Sequence, residues 1–177
     1  MKKILLASNN SGKIREFRTL FSPLGIDIIT LKEAGIVSDP EETGTTFIES
    51  ALIKAKTAAK LSGLPTLADD SGLVVPALKG APGIYSARYS GTPDSEANNR
   101  YLLEQMSPLK GEERNAYFKA VLVLLRDADD PVPLIAEGEV FGTILEAPQG
   151  EEGFGYDPLF YYPEKKCSFA ELDLAYK

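Results

Sequence analysis

One stretch at the start of the chain narrows its fold more than any other. Lys3 to Ala7 is a short apolar run, the polar loop Ser8-Asn9-Asn10-Ser11-Gly12 follows, and apolar residues then recur at Ile14, Phe17, Leu20 and Phe21. A short unbroken apolar run reads as a buried strand, and apolar residues three to four apart read as one face of an amphipathic helix. The order is therefore strand, loop, helix, the opening of an α/β chain.

The same pattern continues. Ile26 to Leu31 predicts a second strand, and an acidic, turn-rich loop follows through Asp39-Pro40-Glu41-Glu42-Thr43-Gly44. Thr46 with Glu49 three residues later is a capping-box signature, and Phe47, Ile48, Ala51, Leu52, Ala55, Ala58 and Ala59 supply one apolar helical face running to about Ser62. Strand signals return at Thr66 to Ala68 and at Leu73 to Val75, with an acidic turn, Asp69-Asp70-Ser71-Gly72, expected between them. The Gly- and Pro-rich segment Lys79 to Pro93 reads as a functional loop, and Asp94 caps a helix expected through Met106. Ala116 to Arg126 and Val132 to Ile144 are long strands around the turn Asp127 to Pro131, expected to pair as an antiparallel hairpin. No repeat, low-complexity tract or linker divides the chain, so a single domain around a mixed sheet is expected over residues 1–177.

Composition limits the chemistry. With 177 residues, 44% of them hydrophobic, and no long apolar run, a membrane span is excluded and a cytoplasmic protein is the expectation. The single cysteine, Cys167, has no partner for an internal disulfide and reads as structural filler. There is no histidine, which removes histidine bases, Ser-His-Asp and Cys-His nucleophiles and histidine zinc sites from these residues. The net charge of −7 argues against non-specific nucleic-acid binding but leaves room for a small anion in a local basic pocket.

Three segments carry candidate chemistry. Ser8 to Lys13 is a glycine-containing loop that opens a helix, where free N–H groups, the helix dipole and Lys13 all favour a phosphate. It lacks the leading glycine of a P-loop, and Ile14 stands where a metal-binding hydroxyl would be. An N-cap turn with a solvated lysine is the plainer alternative. The acidic pairs Glu41-Glu42 and Asp69-Asp70 suit magnesium, which takes one or two carboxylates together with phosphate and water. Asp69-Asp70 is the more telling pair, because adjacent acids in apolar strand context repel unless a cation or basic group is near; solvated turn carboxylates are the alternative. Gly153-Phe154-Gly155-Tyr156-Asp157-Pro158 combines aromatics that can stack on a base with a carboxylate that can accept a base N–H. A turn whose aromatics cap the core is the competing reading.

Taken in order, these segments resemble the inosine/xanthosine triphosphate pyrophosphatase family across essentially the whole chain. The resemblance rests on Ser8-Asn9-Asn10-Ser11-Gly12-Lys13, Pro40 to Gly44 with Thr46 to Ala51, Ala68-Asp69-Asp70-Ser71-Gly72-Leu73, Gly80 to Tyr89, and Phe154-Gly155-Tyr156-Asp157-Pro158. It implies an α/β fold, an elongated mixed β-sheet with flanking helices forming two lobes around a central cleft, and a homodimer. It implies hydrolysis of non-standard purine nucleoside triphosphates to monophosphate and pyrophosphate with Mg2+ as cofactor. Ser8, Asn9, Asn10, Ser11, Gly12 and Lys13 would cradle the triphosphate, with Lys54 near the phosphates and Ser71 touching the substrate. Glu41 and Asp70 would hold the metal, Asp70 would also be the general base, Phe154, Gly155, Tyr156 and Asp157 would form the base pocket, and Lys177 matches a substrate-binding lysine. Family members continue beyond that lysine to a Ser-His-Arg motif that reads the six-keto group, so part of the base-selecting segment is expected to be missing from this chain. A Maf-like nucleotide pyrophosphatase, which shares a Leu-Ala-Ser opening similar to Leu6-Ala7-Ser8, and a nucleotide-binding regulatory module without turnover are the alternatives.

Overall fold

The computed structural model describes residues 2–41 and 43–172. Among them are seven strands, β1 (Lys3–Leu6), β2 (Asp27–Thr30), β3 (Thr66–Val74), β4 (Asn115–Leu125), β5 (Leu134–Ile144), β6 (Phe160–Tyr162) and β7 (Cys167–Ser168), and three α-helices, α1 (Ser11–Phe21), α2 (Phe47–Ser62) and α3 (Ser95–Met106). The strands form one sheet in the order β2-β1-β3-β4-β5-β6-β7. β1 lies parallel to β2, with Ile4 opposite Ile28, and parallel to β3, with Leu6 opposite Leu67. β5–β6 and β6–β7 are antiparallel, so the expected mixed sheet is present.

The chain divides into two compact units, Met1–Asp70 with Ala120–Glu137, and Ser71–Lys119 with Gly138–Lys177. In the first, strand parity assigns each side chain to a helix, because successive strand residues point to opposite faces. Ile4, Leu6 and Leu67 pack with Phe17 and Ile14 of α1, and Ala68, Val121, Val123 and Leu125 pack with Ala51 and Ala55 of α2. The apolar face read from the sequence of α2 is the face that is buried. Its start is capped as expected: Thr46 Oγ1 accepts from the Glu49 amide at 3.1 Å, while the Glu49 carboxylate reaches the Thr45 amide at 2.9 Å.

One expectation is corrected. Asp69 to Gly72 is not a turn between two strands; β3 runs unbroken from Thr66 to Val74. The acidic pair can lie in an extended, largely buried strand because each carboxylate meets a lysine, Asp69 from α1 and Asp70 from α2. The turn Asp127 to Pro131 does form. Asp130 accepts from the Arg126 and Val132 amides and from the Arg126 guanidinium, which holds its carboxyl down to about 2.

The second unit is built around Leu73, Val75, Leu102, Met106, Leu159 and Phe160, with the Phe118 and Phe169 rings stacked on each other and each tilted against Phe160. Cys167, half-buried in β7, is free. Arg114, 8% exposed, fastens this unit: its guanidinium donates to the carbonyls of Ile144 and Leu145 at 2.8 Å each, Met106 at 2.9 Å and Leu109 at 3.2 Å. It ties the end of α3 to the end of β5. Arg114→Ala should lower stability by on the order of 3 kcal/mol, read from the urea midpoint, since buried carbonyls lose their donors. Arg114→Lys should recover little of it, because a point ammonium cannot fork between four carbonyls.

Candidate functional site

The loop after β1 is shaped by its own side chains. Ser8 Oγ accepts from the Asn10 amide at 3.1 Å, and Asn10, the N-cap of α1, accepts from the Lys13 amide at 3.1 Å. The N-cap alternative is thus real, but the lysine is not merely solvated. Lys13 pairs with the Asp69 carboxylate, 56 residues away in sequence. Lys54 Nζ lies 3.6 Å from Asp70 Oδ1 and 3.5 Å from the Asp69 carbonyl oxygen, to which it donates.

These groups border a cavity of about 270 Å³ within the first unit, lined by Ser8, Asn9, Asn10, Lys13, Lys54 and Asp69 together with Asp39, Pro40 and Ser50. Ser11 borders a neighbouring groove, with Arg15, Arg18 and Lys32. Gly12 lies within the first turn of α1, while Glu41 is exposed and, like Asp70, is not on the cavity wall. Ser71 follows Asp70 along β3 and is exposed. Lys177 lies outside the described residues.

Parity explains what the sequence reading missed. Asp69 points with Leu67 to the α1 face and so reaches Lys13 and the cavity; Asp70 points with Ala68 to the α2 face and meets Lys54. Had β3 been read as continuous, the Leu67 and Asp69 alternation would have pointed Asp69 towards the helix that carries Lys13. Burial raises the Asp70 carboxyl above its usual range, against the pull of Lys54 and Lys13. Such a group is a better proton acceptor near neutrality than an exposed aspartate.

As a test of the implied magnesium, the described residues contain no cluster of three or more histidine, cysteine or carboxylate side chains. Glu41 and Asp70, neither of them on the cavity wall, nevertheless supply the hard carboxylate oxygens that magnesium takes one or two at a time, with substrate phosphates completing its shell. The donor chemistry fits.

The aromatic segment belongs to the second unit. Phe154 is 68% exposed, a ring available for stacking, and its amide donates to Asp157 Oδ2 at 3.1 Å. Gly155 takes a left-handed conformation, φ +59°. Tyr156 is buried and its hydroxyl donates to the Ser86 carbonyl at 2.6 Å, so it anchors the loop and offers no stacking face.

A family model described as the Ham1 family matches residues 4–177. The chain is 52% identical over 172 residues to a dITP/XTP pyrophosphatase of Haemophilus ducreyi, covering 97% of this chain and 87% of that protein. It is 53% identical over 174 residues to a dITP/XTP pyrophosphatase of Vibrio cholerae, covering 98% and 86%. Among solved structures, a HAM1 protein from Coxiella burnetii superposes with a TM-score of 0.93 at 45% identity, covering 99% of this chain and 89% of that one. A nucleoside-triphosphatase and dITP/XTP pyrophosphatase from Mycobacterium abscessus gives 0.84 at 38%, covering 96% and 88%.

The raised Asp70 carboxyl sets a stability test. A carboxyl whose folded pKa lies above its unfolded value contributes stability below the unfolded pKa and loses it as pH rises through the folded one. In metal-free buffer near neutral pH, Asp70→Asn should therefore melt higher than the parent, and the difference should narrow as pH falls towards roughly 4. A lower melting temperature at neutral pH would mean that attraction to Lys54 outweighs burial.

Proposed function

Because the chain belongs to the Ham1 family, we propose that it is a nucleoside-triphosphate pyrophosphatase that hydrolyses the non-standard purine nucleotides dITP, ITP and XTP to monophosphate and pyrophosphate, removing them from the nucleotide pool. The observation that carries this reading is the first unit's cavity, where a helix-opening loop, Lys13 and Lys54 stand with the Asp69 carboxylate, and Lys54 also pairs with Asp70. The Ham1 match and the pyrophosphatase relatives do not favour a Maf-like enzyme or a binding module without turnover.

Without substrate, each lysine is partnered by a carboxylate. A triphosphate brings a denser negative charge, so Lys13 and Lys54 turn to its oxygens and leave Asp69 and Asp70 available. Ser8 to Gly12 and the start of α1 hold the phosphates, and Ser71 touches the substrate. Asp70 accepts the proton of the attacking water, favoured by its raised pKa. Glu41 and Asp70 would hold magnesium, which when bound would supply positive charge to neutralise the phosphates and help to orient that water. Phe154 stacks on the base, Asp157 accepts a base N–H, and Gly155 and Tyr156 set the loop's course.

A pool-cleaning enzyme is also expected in the cytoplasm; no helix among the described residues is long and apolar enough to cross a membrane. We extend the proposal to a homodimer. Sedimentation equilibrium checks the assembly.

The activity is tested by following pyrophosphate release from inosine, deoxyinosine, xanthosine, adenosine and guanosine triphosphates with magnesium. The first three should be hydrolysed far faster than the last two; equal rates would remove the selectivity, and orthophosphate as the product would move the scissile bond. Lys13→Ala should weaken triphosphate binding by about 1.5–3 kcal/mol through loss of a charge-assisted contact. Asp70→Asn should abolish turnover while the protein stays folded, and a near-normal rate would transfer the base role to Asp69 or Glu41.

A further inference from the structure

Two adjacent asparagines on α3 fasten the loops of the second unit. Asn98, 4% exposed, donates to the Ala87 carbonyl at 3.1 Å and accepts from the Ser90 amide at 2.8 Å and the Ser90 hydroxyl at 2.7 Å. Asn99 donates through Nδ2 to the Gly155 carbonyl at 3.0 Å. With the Tyr156 hydroxyl on Ser86, the segment that carries Phe154 is pinned at two successive residues, Gly155 by α3 and Tyr156 by the turn before it.

The other half of the Asn99 amide is the telling atom. Its Oδ1 is buried and, among the described residues, has no hydrogen-bond partner. Buried polar atoms are rarely left so, because each gives up its hydration without a hydrogen bond in return. The amide cannot turn over to relieve it, because that would set Oδ1 against the Gly155 carbonyl oxygen, acceptor against acceptor. An apolar residue would fill the position without that penalty, so the asparagine is explained by what Nδ2 holds. Locally unfavourable choices of this kind concentrate at functional sites.

We propose that Asn99 is a positioning residue for base recognition: by gripping the Gly155 carbonyl it fixes the exposed Phe154 ring and the Asp157 carboxylate in the arrangement that receives the purine. This rests on the reading of Phe154 to Asp157 as the base site. Asn99 acts through the loop, so its loss falls on base-dependent binding and spares interactions with the phosphates alone.

The test compares the parent with Asn99→Ala, Asn99→Asp and Phe154→Ala. For each, kcat and KM are measured on inosine triphosphate with magnesium, together with the inhibition constant of inorganic tripolyphosphate, which has no base, and the melting temperature. Asn99→Ala should raise KM about tenfold, with kcat changed less than about twofold and the tripolyphosphate constant unchanged. Asn99→Asp should raise KM further, since its carboxylate repels the Gly155 carbonyl. A lower melting temperature with KM unchanged, or an equal loss towards tripolyphosphate, would reduce Asn99 to a structural residue and overturn the proposal. If Phe154→Ala leaves KM unchanged, the base site lies elsewhere and both readings fall; if Phe154→Ala raises KM and Asn99→Ala does not, only the role of Asn99 falls. Should Asn99→Ala not fold, Asn99→Gln, which keeps the amide at a longer reach, carries the same comparison: a raised KM with unchanged tripolyphosphate inhibition supports the proposal, and an unchanged KM overturns it.

Discussion

The pairing of Asp69 with Lys13 and of Asp70 with Lys54 is what allows two adjacent charges to lie inside the first unit. Two neighbouring acids in a mostly buried strand would each lose several kcal/mol of hydration without a partner, and would repel one another. Strand parity separates them, sending one carboxylate to each face, and a helix on each face delivers a lysine. The sheet therefore tolerates the charge only because α1 and α2 pack on opposite sides, and that packing follows from the apolar faces that bury Phe17 on one side and Ala51 and Ala55 on the other.

Polar groups serve different ends in the two units. In the first, the ion pairs of Lys13 and Lys54 lie beside a cavity, where under the proposed function a phosphate would compete with the carboxylates for the lysines. In the second, Arg114, Asn98 and Tyr156 are committed to backbone carbonyls at 2.6–3.2 Å, and Asn99 holds its carbonyl even with one atom unpaired among the described residues. Fixed hydrogen bonds of this kind set shape, which is what discrimination between similar bases requires. Phe154, exposed on an otherwise anchored loop, is where that shape meets solvent.

What the sequence determined by itself was local. The caps at Asn10, Thr46 and Asp94, the buried face of α2 and the end of α3 at Met106 depend on contacts within a few residues, so their signals survive in the linear order. The resemblance of the ordered motifs was legible for a similar reason, since each motif is short and continuous. Tertiary structure decided what depends on distant partners. Asp69-Asp70 reads as a turn in sequence because acids and glycine favour turns; it is a strand because Lys13, 56 residues away, and Lys54 neutralise it. Tyr156 reads as a ring for stacking but is buried, because Ser86 supplies an acceptor for its hydroxyl. Asn99 carries no motif at all, and its hold on Gly155 exists only once α3 and the aromatic loop are packed together. Charge neutralisation and hydrogen-bond satisfaction act through space, and no local pattern encodes which distant residue will complete them.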